Sequence, residues 1–106
     1  MDTSIYRDGF KDWTDVKYNF SMTAREPDEV VFAEYDLSQS YEGSAEVIYR
    51  NGDAYYWASG SHCSCFGLEG QWDPTEYTAN TLSGAFDRYY DENLKAMWAA
   101  HLAAKA

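Results

Sequence analysis

His62, Cys63 and Cys65 stand within one short run, Gly60-Ser61-His62-Cys63-Ser64-Cys65. Imidazole and thiolate are the ligands that zinc and softer metals take, so this run is a candidate metal site with zinc as the candidate cofactor. A closed structural site needs four ligands, commonly from two paired knuckles, and the chain has no second knuckle. Only His101 or a carboxylate such as Glu69 remains to complete the set. The competing reading makes Cys63 and Cys65 small buried fillers and His62 a hydrogen-bonding loop residue, with Trp72 covering them. A cysteine nucleophile needs a base within hydrogen-bond reach and a third, orienting group. His62 is merely the sequence neighbour of Cys63, where side chains usually diverge, so no enzymatic activity is expected. Gly60, Gly67 and Gly70 punctuate the same loop, but their spacing matches neither a P-loop nor a dinucleotide fingerprint and no lysine is near.

Carboxylates are the other abundant chemistry. The chain has 106 residues and a net charge of −10, from 18 acids and 8 bases. The two ends are balanced. The whole excess lies between residues 26 and 76, where eleven acids stand against Arg50 alone. Glu34, Asp36, Glu42, Glu46 and Asp53 are the candidate partner-binding acids of this stretch. Phosphate binding needs clustered lysine and arginine, so such a surface repels nucleic acid and anionic membranes. The partner it complements is a protein with a basic surface, of the kind that binds nucleic acid. Acidity also serves solubility, and net charge alone does not separate the two roles.

These groups have to be positioned by one small domain spanning residues 1–106. Apolar residues make up 45% of the chain and aromatics 18%, enough to offset the entropy of ordering it. The N-terminal stretch is broken by charges and lacks the apolar core of a secretory signal. No run approaches the length of a membrane span. Cys63 and Cys65 are too close in sequence to favour a bond to each other, so no disulfide framework is expected and a reducing cytoplasm is the expected compartment.

Asn51-Gly52 tolerates the positive φ angles of a tight hairpin turn, so 44–50 and 53–58 are read as its two strands. With Asn51-Gly52 as the loop, Arg50 opposes Asp53. Ala45, Val47, Tyr49, Ala54, Tyr56 and Ala58 share the face expected to be buried. Glu46, Ile48, Arg50, Asp53, Tyr55 and Trp57 share the other, making exposed Tyr55 and Trp57 candidate partner contacts. An open sheet edge and apolar Ile48, Tyr55 and Trp57 on that face would also suit a homodimer.

Residues 29–36, rich in β-branched and aromatic side chains, suit a second strand. In 15–22 the alternation of Val16, Tyr18, Phe20 and Met22 is most simply a strand, although Tyr6, Phe10, Trp13, Val16 and Phe20 also recur at helical spacing and allow a helix from about 5 to 14 leading into it. A helix is expected over about 79–89. Another begins at an Asp91 cap, with Leu94, Met97, Trp98 and Leu102 on one stripe. The expected fold is therefore α+β: a small antiparallel sheet, built around a central hairpin at about 44–58, packed against a C-terminal helix.

The segment Gly60-Ser61-His62-Cys63-Ser64-Cys65-Phe66-Gly67-Leu68-Glu69-Gly70-Gln71-Trp72-Asp73-Pro74 resembles a group of small proteins of tailed bacteriophages and prophages that have no established activity. The likeness extends upstream through Val31-Phe32-Ala33-Glu34-Tyr35-Asp36 and Tyr41-Glu42-Gly43, within about residues 28–82. It implies a phage setting, in which small acidic proteins frequently inhibit host enzymes, including defence nucleases and CRISPR effectors. The expected function is inhibition of such an enzyme by protein-protein contact, with DNA mimicry as one route. The alternative is a metal-stapled structural or accessory phage protein using His62, Cys63 and Cys65.

Overall fold

Three helices and both edge strands of the sheet come from the N-terminal stretch and the C-terminal third, while the sheet's centre comes from the middle of the chain. The computed structural model describes residues 4–37, 42–63, 67–88 and 92–105. In chain order the elements are β1 (Tyr6–Asp8), α1 (Trp13–Phe20), β2 (Glu29–Asp36), β3 (Gly43–Asn51), β4 (Ala54–His62), β5 (Thr75–Tyr77), α2 (Ala79–Asp87) and α3 (Glu92–Lys105). The sheet is five-stranded in the order β1-β2-β3-β4-β5. The α+β class is as expected. The sheet is mixed, however, because β1 runs parallel to β2 while β2 to β5 form an antiparallel meander.

The strand expected over 15–22 is a helix. Asp12 caps it, accepting from the Asp15 N–H, while the Asp15 carboxylate accepts from the Lys11 N–H, so two N-terminal donors are satisfied reciprocally. Trp13, Val16 and Phe20 are buried along one stripe. Tyr18, which an alternating strand would have buried beside Val16, is 82% exposed. Ser21 ends the helix in the left-handed region, its N–H reaching the Lys17 and Tyr18 carbonyls.

The hairpin forms with its loop one residue later than expected. Asn51 pairs with Ala54, so Gly52 and Asp53 make the turn and Arg50 lies opposite Tyr55 rather than Asp53. Gly52 has φ 61°, and Asp53 is not among the residues with positive φ, the glycine-first pattern of a type II′ turn. The start of β2 ties this tip down: the Asp28 carboxylate accepts from the Gly52 N–H, and the Asn51 side chain accepts from the Asp28 N–H. Sliding the pairing this way leaves side-chain parity intact, so the same residues share each face as in the sequence reading.

Each face carries a core. On one, Phe10, Trp13, Val16, Phe20 and Leu68 pack onto Val30, Ala33, Tyr35, Ala45, Val47 and Tyr49. On the other, α2 and α3 bring Leu82, Phe86, Leu94 and Trp98 onto Val31, Phe32, Ile48 and Tyr55. A bulge between Val30 and Phe32 lets Val31 and Phe32 both serve this second core. On α3 the buried stripe ends at His101, while Leu102 is 38% exposed. The sheet supplies a reason: the Tyr55 hydroxyl lies 2.9 Å from His101 Nε2, and Glu29, itself paired with Arg50 at 3.1 Å, lies 3.9 Å from His101 Nδ1. A polar side chain with such partners can be buried where an unpartnered one could not. Residue 91, the expected cap of α3, lies outside the described residues.

Candidate functional site

The face that α2 and α3 pack against is only half covered by the described residues. Pairing register divides it into rows: Glu29, Arg50, Tyr55 and Tyr77; then Phe32, Ile48, Trp57 and Thr75; then Arg7, Glu34, Glu46 and Ser59; then Asp36, Ser44 and Ser61. Helices α2 and α3 lie on the first two rows, whose Tyr55, Phe32 and Ile48 are buried. No residue of the last two rows belongs to a core cluster, and Arg7, Ser44, Ser59 and Ser61 are exposed. The result is a polar ledge beside a helical wall.

Four of the acids singled out in the sequence gather there. Glu34 stands directly opposite Glu46, Asp36 follows two residues along β2 on the same face, and exposed Glu42 immediately precedes β3. Asp8, which ends the parallel strand β1 with φ 55°, joins them. Glu34 is pushed above the usual carboxylate range, first by burial, then by a hydrogen bond to Asp8 and by the charges of Asp8 and Asp36; Arg7 opposes the shift. Arg7 is itself held toward the wall, its guanidinium over the Phe32 ring at 5.7 Å and bonded to the Met97 sulfur at 3.6 Å. Glu46 is fixed by the Trp57 indole, whose N–H donates to its carboxylate at 2.5 Å. Ordered carboxylates with one basic neighbour are suited to receiving cationic side chains.

The remaining candidates fall elsewhere. Asp53 is exposed at the hairpin tip, the opposite end of the strands from the acidic rows. Tyr55 and Trp57 do not form an exposed aromatic surface. Tyr55 is 7% exposed beneath α3, edge-on to Trp98, and Trp57 is half-buried against Phe86 with ring centroids 4.9 Å apart. They lie on the face assigned to them, but two helices cover its apolar half. The apolar half of the homodimer argument goes for the same reason, since Ile48 and Tyr55 are core; the sheet-edge half is untouched by it.

The histidine-cysteine run reaches the same ledge from its far end. Asp36, Glu42, Ser44, Ser61, His62 and Cys63 line an open cleft of about 410 Å³. His62 Nδ1 donates to the Cys63 carbonyl at 2.8 Å, an oxygen that can only accept, so in the neutral ring Nε2 accepts from the Tyr35 hydroxyl at 2.5 Å. Both ring nitrogens are therefore occupied, and the bond to Cys63 goes to its carbonyl rather than its thiol. Gly43, paired with His62, makes this fold-over feasible, because a Cβ there would come within 2.4 Å of His62 Nε2. Cys63 is exposed, whereas Cys65 lies outside the described residues. Among the described residues no group of three histidine, cysteine or carboxylate side chains is arranged to hold a metal.

Arg7, Asp8, Ser44, Ser59 and Ser61 were not among the sequence candidates. The serines could have been found from parity with Glu46. Arg7 and Asp8 could not, since their place depends on a three-residue parallel strand. Among the described residues no helix is long and apolar enough to cross a membrane. Compared with known proteins, the chain matches no family model, no curated protein and no solved structure.

Proposed function

We propose that this protein is a phage-encoded binding protein that inhibits a host enzyme by occupying a basic, nucleic-acid-binding surface with the acidic ledge. The observation that carries the reading is the register that sets Glu34 against Glu46 on an uncovered half of the sheet, with Asp36 and Glu42 beside them. Like charges directly opposed across strands cost stability, and a cationic partner would relieve that cost on binding. The phage setting comes from the resemblance of the His-Cys loop segment. A host defence nuclease or CRISPR effector has the basic groove such a ledge complements. Binding would be by protein-protein contact, excluding nucleic acid by competition and like charge rather than by catalysis.

The experiment is capture of candidate host enzymes by the wild type and by a variant with Glu34, Asp36, Glu42 and Glu46 changed to lysine. Capture should be abolished while circular dichroism and melting show a folded domain. Because Glu46 also bonds Trp57, a second variant carrying only Glu34→Lys, Asp36→Lys and Glu42→Lys leaves that contact in place. Undiminished capture by a folded variant would overturn the reading.

A further inference from the structure

The ledge has a shape as well as a charge, and its shape narrows what part of a partner it receives. Resting on the proposed function above, we propose that the docking element is an α-helix of the partner, bearing arginine or lysine on one face, which lies on the open half of the sheet as the third member of the helical layer. The first observation is the layer itself: α2 and α3 fill one half of this face, ending at half-buried Trp57 and Met97. From the Ile48 row to the Ser44 row the strands run on for roughly 13 Å, at about 3.4 Å per residue. A helix with its side chains is about 10–12 Å across, so the strip left open by the described residues takes one helix.

Spacing agrees. Cationic side chains three or four residues apart on a helix are about 5–6 Å apart at Cβ. The acids offer separations of about 5 Å between Glu34 and Glu46 across strands, and about 7 Å between Glu34 and Asp36 along one. One helical face can therefore meet several carboxylates together, with its apolar flank toward half-buried Trp57.

The sheet edges argue against an extended partner. β1 and β5 are three residues long, and beyond β5 the outer edge of β4 is met at Ser61 by the Gln71 amide, which accepts from its N–H and donates to its carbonyl, each at 2.9 Å. Strand addition needs a longer run of edge backbone. The ledge is the larger receptive surface.

The test uses the intact protein and two short peptides of identical composition, with arginine and lysine at helical i, i+4 spacing on an alanine background. One is stapled as a helix; the other carries central D-residues that break the helix without altering charge. At low ionic strength the stapled helix should bind at least about tenfold more tightly. Its binding should shift the Trp57 indole N–H resonance and the amide resonances of Ser44, Ser59 and Ser61 while sparing the hairpin tip. Equal affinity for the two peptides, lost in a Glu34→Gln, Asp36→Asn variant, would overturn the helix and leave the acidic ledge standing. Binding of either peptide that survives in that variant, or no binding at all, would overturn the helix and count against the proposed function too.

Discussion

Glu34 and Glu46 face each other across β2 and β3 with no basic residue between them in the ladder. Glu46 is anchored by Trp57, and Glu34 is crowded by Asp8 and Asp36 with Arg7 as its basic neighbour. The arrangement sets two carboxylates against each other at a cost in stability, which gives it a measurable signature.

Glu34→Gln should raise stability by about 0.2–1 kcal/mol, the range for cross-strand pairs, and weaken capture of a basic partner. The pH dependence has a definite sign. Because the folded protein holds Glu34 above its ordinary 4.5, ionising it costs the fold, and that cost appears as pH rises through the elevated value. The advantage of the glutamine variant is therefore full at neutral pH and vanishes in acid below the ordinary carboxylate range. Urea unfolding of both proteins across that range measures it.

Tyr55→Phe removes the hydroxyl that meets His101 at 2.9 Å and leaves a buried ring nitrogen without that partner. Stability should fall by about 1–3 kcal/mol, and amide exchange should accelerate in α3. The double variant Tyr55→Phe, His101→Leu should recover part of this loss, because removing both partners is cheaper than removing one. A double-mutant cycle in denaturant reads the coupling.

Gly52→Ala should cost about 1–2 kcal/mol through the backbone alone. Gly52 has φ 61°, and an added Cβ there would meet nothing within 4 Å. Gly52→Asn should cost a similar amount despite its larger side chain, since the first central position of a type II′ turn lies outside the left-handed helical region that asparagine tolerates. Thermal melting of the two variants separates dihedral strain from steric clash.

Tyr49 should be among the last tyrosines to ionise on alkaline titration. Burial, and to a smaller extent Tyr56, pushes it up to about 12, where it lies stacked between Tyr56 and Trp72 with centroids 5.0 and 5.8 Å away. Its neutral form is the one the fold favours, so this contribution to stability is complete below pH 10 and is lost as pH rises through about 12. Ultraviolet titration of wild type against Tyr49→Phe identifies the late step.

The hairpin, β2 and the two C-terminal helices were legible because strand propensity, a glycine turn and helical periodicity agree there. The N-terminal stretch was not. Val16 and Phe20 satisfy both periods, and the deciding signal is the Asp12-Asp15 cap, whose aspartate at the third helical position departs from the usual glutamate. Parity correctly gathered Glu46 with Tyr55 and Trp57, but parity cannot say what covers a face. The warning was the continuous apolar run Val47-Ile48-Tyr49, buried throughout, since a strand with one wet face alternates. His101 was read only as a spare ligand. Its burial depends on Tyr55 and Glu29, residues brought to it by the docking of α3.

Gln71 makes both edge bonds at Ser61 with a single side chain and also donates to the Gly67 carbonyl. That amide stands in for a missing strand. Its loss would free the Ser61 backbone at the end of β4 and loosen the loop behind it together, lengthening the edge open to another chain. Solubility of this acidic protein would then rest on one neutral residue as much as on its surplus of charge, and Gln71→Ala should self-associate at concentrations where the wild type stays monodisperse by light scattering.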